Sequence, residues 1–228
     1  MTKNEFYDTL ENNNILLTDK MKKQFDQYYQ LLSQYNQVMD LTNVIEEEQV
    51  YERHFYDSIC IAFNHNFNDL KVCDVGSGAG FPAIPLKIVF PEMDLVIIDS
   101  LSKRMNFLKE VMQNLELKNV KIEIARVEDV ANQYRESFDI VTARAVARLN
   151  VLLELCTPLT KEKGLFIALK GKQGPIELKE SQQAIKELNV CLQEERKYDE
   201  GINYYFKKEK KTNPKYPRKF AQIKKKPL

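Results

Sequence analysis

The first sixty-odd residues place apolar side chains with the period of an α-helix. From Met21 to Met39 these side chains recur every three or four residues, which puts them on one helix face. Thr18 precedes this run, and its hydroxyl suits the N-cap of the predicted helix. A second helix is predicted from Glu46, where a run of glutamates complements the helix dipole. The pattern therefore predicts an N-terminal helical cap over residues 1–68.

From residue 69 the pattern changes to short β-rich runs separated by helical stretches. The run from Leu95 to Ile98 is wholly apolar, as expected of a strand in a sheet that is covered on both faces. Strands that alternate with helices predict an α/β fold with a doubly wound, mostly parallel, Rossmann-like sheet over residues 69–228. The predicted strands are 71–75, 94–99, 120–125, 138–143, 165–170 and, at the sheet edge, 202–208; the predicted helices are 81–90, 103–115, 149–159 and 179–188.

The charge of the chain is balanced in total but not along its length. The 228 residues hold 34 Lys+Arg and 33 Asp+Glu, for a net charge of +1. Residues 1–57 hold 5 Lys+Arg against 11 Asp+Glu, whereas residues 207–228 hold 10 Lys+Arg and a single acid. A basic tail that includes Tyr216 and Phe220 is typical of a surface that binds phosphates. A solvated, partly disordered tail is the alternative, and the sequence leaves both open.

Chain length and cysteine spacing argue against a disulfide-stabilised protein and against a metal site. A chain of 228 residues is long enough to bury a core without disulfides. Its 4 cysteines show no C-x-x-C spacing, so we expect buried, reduced thiols and no metal site. No basic-then-apolar leader opens the sequence, and no apolar run approaches the ~20 residues of a membrane-spanning helix. We expect a cytoplasmic protein, monomeric and without an obligate protein partner.

The first predicted strand is followed by a glycine-rich turn, Gly76-Ser-Gly78-Ala-Gly80-Phe81, with Asp74 just before it. The dinucleotide-binding fingerprint would need its third glycine at Phe81, so that motif is absent. The turn instead resembles motif I of the class I S-adenosylmethionine-dependent methyltransferases. That resemblance implies S-adenosylmethionine as cofactor, with the loop wrapped around its methionine part. A purely structural glycine turn is the alternative.

Two further positions fit a cofactor at the carboxyl ends of the strands. Asp99 ends the second predicted strand, where its carboxylate can accept hydrogen bonds from both ribose hydroxyls. The alternative role for Asp99 is the N-cap of the next helix, although Ser100 is also available for that. Val127 and Glu128 follow the third predicted strand and are expected to flank the adenine, unless Glu128 is only a surface acid.

Longer motifs narrow the resemblance. They are Asp74-Val-Gly-Ser-Gly-Ala-Gly-Phe-Pro-Ala-Ile-Pro, Asp99-Ser-Leu-Ser-Lys-Arg, Thr142-Ala-Arg-Ala-Val-Ala, Ala168-Leu-Lys-Gly, Asp40-Leu-Thr-Asn, Arg53-His-Phe-Tyr-Asp-Ser and Lys215-Tyr-Pro-Arg-Lys. With these motifs the sequence is similar, over essentially its full length, to the bacterial 16S rRNA guanine-N7 methyltransferase G family (RsmG). Ala83 stands where that family more often has glycine, and Phe220-Ala-Gln-Ile replaces its usual small residues.

The resemblance to this family implies cofactor-binding roles for Gly76, Phe81, Val127, Glu128 and Arg144. It implies as substrate a guanine in the decoding-region loop of 16S rRNA in the small ribosomal subunit.

The available side chains agree with a guanine N7 acceptor. Methylation of a pyrimidine C5 needs a thiolate, and methylation of an exocyclic amine uses an Asn/Asp-Pro-Pro-aromatic motif where this chain has Thr142-Ala-Arg144-Ala. Guanine N7 has an exposed lone pair and no proton to lose, so no general base is needed. We expect Arg144 to orient the cofactor carboxylate or the guanine, and His54 to be structural.

Five basic residues are candidate phosphate contacts: Arg148, Lys170, Lys215, Arg218 and Lys219. Ordinary solvated cations are the alternative for Arg148 and Lys170. The predicted function is transfer of a methyl group from S-adenosylmethionine to guanine N7 in 16S rRNA. The alternatives are a methyltransferase for a small molecule or a protein, and a non-catalytic RNA-binding assembly factor with a relict cofactor pocket.

Overall fold

A computed structural model describes residues 1–198 and 201–228. Its centre is a seven-stranded sheet in the order β3-β2-β1-β4-β5-β7-β6. β1 to β5 are parallel, and β7 pairs antiparallel with both β5 and β6. The predicted doubly wound α/β fold is confirmed. The strands are β1 Lys71–Val75, β2 Asp94–Asp99, β3 Val120–Ile124, β4 Phe138–Arg144, β5 Thr160–Gly171, β6 Val190–Tyr198 and β7 Gly201–Lys208.

The helices flank this sheet and follow most of the predicted runs. The predicted helix over 179–188 is two short helices with a break at Ser181. The helices are α1 Lys3–Asn12, α2 Asp19–Met39, α3 Glu47–Val50, α4 Asp57–Ile59, α5 Ala83–Val89, α6 Ser102–Asn114, α7 Val127–Val130, α8 Leu149–Cys156, α9 Gly174–Glu180, α10 Gln182–Glu187 and α11 Phe220–Lys225; a π-helical turn, Tyr51–Tyr56, joins α3 to α4, and a 3-10 turn, Cys60–Ala62, follows α4.

The N-terminal helices pack on one face of the sheet. Thr18 caps α2 as predicted, because its hydroxyl accepts a hydrogen bond of 3.2 Å from the backbone N–H of Met21. α1 was not predicted, although a capping box between Thr2 and Glu5 begins it. These helices share one hydrophobic cluster with the sheet. The domain boundary at residue 68 therefore stays a prediction.

The apolar strand β2 is buried on both sides, as its sequence predicts. Leu95 and Ile97 belong to the cluster under the N-terminal helices, α5 and α6. Val96 and Ile98 point the other way, into a second cluster beneath α7, α8 and the C-terminal tail. Alternate side chains on opposite faces follow from the two-residue period of a strand. This burial fixes the register of β2 and hence the position of Asp99 at its carboxyl end.

The last strand is not at the sheet edge, so that prediction is wrong. β7 lies between β5 and β6, and β6 forms the edge. β6 escaped prediction because its middle, Gln193 to Lys197, is a run of five polar residues with none of the apolar alternation of a half-buried strand. Its partner β7 carries the apolar side chains that fill both clusters.

The basic tail is docked on the protein, so the disordered alternative is wrong. Tyr216 is 3% exposed, and its hydroxyl donates to Glu187 Oε2 over 3.1 Å. Ile223, in α11, is fully buried against α8 and its surroundings. Lys208, at the start of the tail, is buried and paired with Glu136 at 2.9 Å. The tail thus forms part of the second hydrophobic cluster.

The four cysteines are free thiols, and three of them are buried. Cys60, Cys73 and Cys156 are buried and free, as predicted, whereas Cys191 on the edge strand is free but exposed, against prediction. Among the helices described, none combines the length and apolar character needed to cross a membrane.

Candidate active site

A cavity of about 340 Å³ opens at the carboxyl ends of β1 to β4. It lies where the strand order reverses between β1 and β4, which is the expected ligand position in an open parallel sheet. Most of its wall comes from the glycine turn, the end of β2, the start of α7 and the loop after β4, and α6, α8 and α11 each add one residue. Its wall comprises Val75, Gly76, Ile98, Asp99, Ser100, Leu101, Arg104, Ala125, Arg126, Val127, Glu128, Ala145, Val146, Ala147, Leu155 and Phe220.

The glycine turn needs its glycines for different reasons. Gly78 has a φ of 59°, and a Cβ there would meet only Arg104 Nη1 at 3.7 Å, so the backbone is open to a ligand. Gly80 has a φ of 105°, and a Cβ there would come within 2.6 Å of the Tyr28 hydroxyl. That hydroxyl donates to the Ala79 carbonyl over 2.6 Å. Gly78 therefore faces the ligand side, whereas Gly80 allows α2 to close on the turn.

Asp99 lies in the cavity wall and is 8% exposed. Its Oδ2 accepts a hydrogen bond of 3.1 Å from the Gly78 N–H, and its Oδ1 accepts one of 2.9 Å from the Leu101 N–H. The carboxylate thus fixes the turn and the entry to α6 together. A carboxylate offers about four acceptor positions, so two are left for a ribose diol. The N-cap of α6 is Leu101, and no side chain caps that helix, so the alternative N-cap role of Asp99 is wrong, whereas its ribose role stays a prediction.

Asp74 lies beneath the glycine turn and outside the cavity wall. It is fully buried, and the Thr142 hydroxyl donates to its Oδ1 over 2.6 Å. Burial raises the pKa of Asp74 to about 7, although hydrogen bonds from Ser77 and Thr142 oppose the shift. Asp74 therefore supports the turn from below.

A second group of side chains, the β4 cluster, lies where β4 meets the N-terminal helices. It consists of His54, Phe81 and Arg144. The His54 and Phe81 rings stack with centroids 4.5 Å apart, and the Arg144 guanidinium lies 6.0 Å from the Phe81 ring. Arg144 donates to the Arg53 carbonyl over 2.6 Å and is 3.8 Å from Asp57 Oδ2. These cap contacts hold the guanidinium in one position.

His54 in this cluster is neutral at physiological pH. Burial and the nearby Arg144 charge lower the pKa of His54 to about 4. Its Nε2 is 2.7 Å from the Thr42 hydroxyl, and its Nδ1 is 3.1 Å from the Arg53 carbonyl. Both ring nitrogens are thus engaged within the protein, which agrees with the predicted structural role.

Val127 and Glu128 line the cavity at the start of α7, as expected for residues near an adenine. Glu128 is 3.8 Å from Arg126, and the Arg126 guanidinium lies 5.3 Å from the Phe220 ring. Sequence reasoning missed Arg104, Arg126 and Phe220 as cavity residues. Arg104 lies shortly after the predicted site residue Asp99, and Arg126 directly precedes Val127, so their positions in the sequence were a usable signal. For Phe220, nothing in the sequence shows that the tail reaches this cavity.

The candidate phosphate contacts fall into two sets. Lys170 is 7% exposed and pairs with Glu177 at 2.8 Å, and Arg218 pairs with the buried Glu154 at 2.5 Å. Neither charge faces solvent freely, because each neutralises an acid from another element, so the structure does not support a phosphate role for them. Arg148 pairs with Glu180 on the surface and keeps a largely exposed side chain. Lys215 and Lys219 are exposed.

A parallel sheet with this glycine turn, and with an acid in the cavity at the end of the second strand, defines a class I S-adenosylmethionine-dependent methyltransferase. An S-adenosylmethionine-dependent methyltransferase from Aquifex aeolicus has the same fold, with a TM-score of 0.57 at 17% sequence identity over 72% of this chain and 94% of that chain. A ribosomal protein L11 methylase from Lactobacillus delbrueckii subsp. bulgaricus also superposes with a TM-score of 0.57, at 17% identity over 69% of this chain and 79% of its own.

Sequence comparison gives the particular family. The family model described as rRNA small subunit methyltransferase G (GidB) matches residues 21–201. Proteins with the name ribosomal RNA small subunit methyltransferase G include one from Macrococcus caseolyticus, 47% identical over 100% of this chain and 99% of its own, and one from Lysinibacillus sphaericus, 45% identical over 96% of each. The chain belongs to the rRNA small subunit methyltransferase G family. The predicted enzyme class and the predicted cofactor are confirmed.

Proposed function

We propose that the enzyme transfers the methyl group of S-adenosylmethionine to N7 of a guanine in the 16S rRNA of the small ribosomal subunit. Membership of the family supports rRNA as the substrate. The β4 cluster supports N7 as the accepting atom, because it offers an arginine and an aromatic ring that can orient a guanine, while its neutral histidine is engaged within the protein. When bound, S-adenosylmethionine supplies a methyl group already activated by its sulfonium.

Different residues would hold different parts of this cofactor. Asp99 would accept hydrogen bonds from the ribose hydroxyls, and Val127 and Glu128 would border the adenine. The backbone of Gly76 and Gly78 would hold the methionine part. The acceptor positions of Asp99 and the open space above Gly78 fit this ligand. Gly80 and Asp74 act from beneath by fixing the turn.

The chemistry of the buried thiols disfavours methylation at a pyrimidine carbon. That reaction requires a cysteine thiolate to activate the ring. Burial raises the pKa of Cys73 and Cys156 well above the usual range, and that of Cys60 to about 12. These thiols are therefore protonated at neutral pH. Thr142 and Arg144, in turn, occupy the place of the amine-orienting motif.

Guanine N7 needs positioning and no proton transfer. Alignment of the two reactants can lower the reaction barrier by up to ~7–11 kcal/mol, because their translational and rotational entropy is lost on binding and not in the transition state. A well-oriented guanine therefore supports the transfer. Arg144 Nη1 is a buried donor with no hydrogen-bond partner among the described residues, and such donors are rare unless a ligand completes them. We assign Arg144 to the guanine O6 or the cofactor carboxylate. Asp57 offsets its charge, which would otherwise disfavour the cationic product.

The experiment for this proposal compares substrate pools. The purified enzyme and methyl-labelled S-adenosylmethionine are incubated separately with small ribosomal subunits, with ribosome-free cell protein and with a small-molecule extract. Label in 16S rRNA alone supports the proposal. Label in protein or in small molecules would favour the alternative substrates, and binding of subunits without any label would favour a relict cofactor pocket. An Arg144→Ala variant serves as the control and should transfer far less label.

A further inference from the structure

The tail helix α11 reaches the cofactor cavity. Phe220, its first residue, is half-buried and forms part of the cavity wall together with Val127 and Glu128. Arg126 also lines the cavity, and its guanidinium lies 5.3 Å from the Phe220 ring centroid, within cation–π range. An aromatic ring and an arginine thus stand together at the adenine end of the cavity.

Two anchors hold this ring in place. Two residues before it, Arg218 makes a bidentate pair with the buried Glu154, through Nε at 2.7 Å and Nη2 at 2.5 Å. Three residues after it, Ile223 is fully buried in the second hydrophobic cluster. Leu155, the neighbour of Glu154 on α8, also lines the cavity. The tail therefore presents Phe220 to the cavity from a fixed position.

We propose that Phe220 is a cofactor-binding residue whose ring packs on the adenine, so that the C-terminal tail forms part of the S-adenosylmethionine site. This inference rests on the proposed placement of the adenine near Val127 and Glu128. Ile223 and Arg218 already attach the tail, so attachment does not require the Phe220 side chain. A half-buried aromatic ring in the wall of a cavity is instead suited to packing on a base.

Calorimetric titration tests the contact with two ligands, S-adenosylmethionine and 5′-methylthioadenosine, which lacks the amino-acid part. Phe220→Ala should weaken both ligands by the same factor, about five- to 150-fold for a lost base stack. Phe220→Tyr should bind both as the parent does. Gln222→Ala, an exposed position on the same helix, is the matched control and should leave both affinities unchanged.

The outcomes separate this inference from the placement of the cofactor. If Asp99→Asn weakens both ligands and Phe220→Ala weakens neither, or weakens S-adenosylmethionine alone, the adenine contact is wrong and the cavity assignment stands. If neither variant affects either ligand, the cavity assignment itself fails. If Phe220→Ala lowers the melting temperature, Phe220→Leu decides: weaker binding at an unchanged melting temperature supports stacking, and parental affinity overturns it.

Discussion

Asp99 illustrates how a single residue serves both the fold and the ligand. Its two oxygens hold the Gly78 and Leu101 amides, which fixes the turn that must approach the cofactor. The same carboxylate keeps acceptor capacity towards the cavity. Preorganisation of this kind means that the site exists before the cofactor arrives, so less ordering is needed on binding.

Replacement of Asp99 by asparagine should weaken S-adenosylmethionine binding by about 1.5–3 kcal/mol, the range for a hydrogen bond to a charged group. Asparagine keeps one oxygen for the turn but loses the charge that strengthens the ribose bonds. Calorimetry gives the affinity. Asp94→Asn, at the exposed opposite end of β2, is the control and should bind normally. An unaltered affinity for Asp99→Asn would remove Asp99 from the ribose role.

The raised pKa of the Asp74 carboxyl makes the free energy of unfolding depend on pH. Its pKa is raised to about 7 in the folded state, against about 4 in an unfolded chain. Between these values the folded state binds more protons, so this residue makes the free energy of unfolding fall as pH rises, by up to about 1.4 kcal/mol per pH unit. Above about pH 7 its contribution is constant. His54 acts in the opposite direction, because its pKa is lowered to about 4 and protonation favours the unfolded state.

Asp74→Asn isolates this contribution, because asparagine can still accept from Thr142 while it does not titrate. Urea unfolding of both proteins from pH 4.5 to pH 8 should show the parent losing stability relative to Asp74→Asn as pH rises towards about 7, followed by a constant difference. A difference in unfolding free energy that does not vary with pH would contradict the raised pKa.

At the scale of the elements, the pair between Arg218 and Glu154 attaches the tail to α8. Glu154 is fully buried, so loss of the Arg218 side chain leaves a buried charge with only the backbone N–H of residue 218, at 3.0 Å, as partner. Arg218→Ala should lower the free energy of unfolding by about 3 kcal/mol. Lys219→Ala, at the exposed neighbouring residue, should change it by less than about 0.5 kcal/mol.

A double variant shows whether the stability lost in Arg218→Ala comes from the ion pair with Glu154 or from a general loosening of the tail. Glu154→Gln added to Arg218→Ala should restore part of the lost stability, because it removes the buried uncompensated charge. Denaturant unfolding measures the parent, both single variants and the double variant. If the double variant is less stable than the sum of the single changes predicts, the ion pair is not what holds the tail.

Elements with strong local patterns were predicted, and those defined by tertiary contacts were not. β1 and β2 have the predicted bounds: the continuous apolar run of β2 specifies a buried parallel strand, and the glycine turn after Val75 ends β1. β6 is polar along its exposed edge and takes its strand form from pairing with β7. In the sequence, Lys170 and Arg218 look like free cations. Their partners lie on other elements, because Glu177 belongs to α9 and Glu154 to α8, and only the fold brings the charges together.

At the scale of the whole molecule, the tail combines attachment with exposed positive charge. Lys215 and Lys219 are exposed, and Lys224, Lys225 and the residues after them extend the basic surface. The salt dependence of RNA binding reports how many phosphates such lysines contact. Reversal of Lys215 and Lys219 to glutamate should therefore reduce the slope of log affinity against log salt by about one per residue.

The same binding assay needs a charge-matched control. Lys109→Glu with Lys118→Glu makes the same change in net charge near the amino end of β3, away from the cofactor side of the sheet. This control should keep the slope of the parent, and both double variants should bind S-adenosylmethionine normally. An unchanged slope for the tail variant would mean that its lysines are only solvated.

The chemical identity of the methylated nucleotide decides whether the enzyme methylates guanine N7. Small subunits lacking the modification are incubated with enzyme and methyl-labelled S-adenosylmethionine, and the 16S rRNA is then treated with borohydride and aniline, which cleave the chain at N7-methylated guanine. We predict label in 16S rRNA and a single new cleavage at one guanine. Labelled rRNA that resists this cleavage, or rRNA without label, would contradict the assignment of guanine N7.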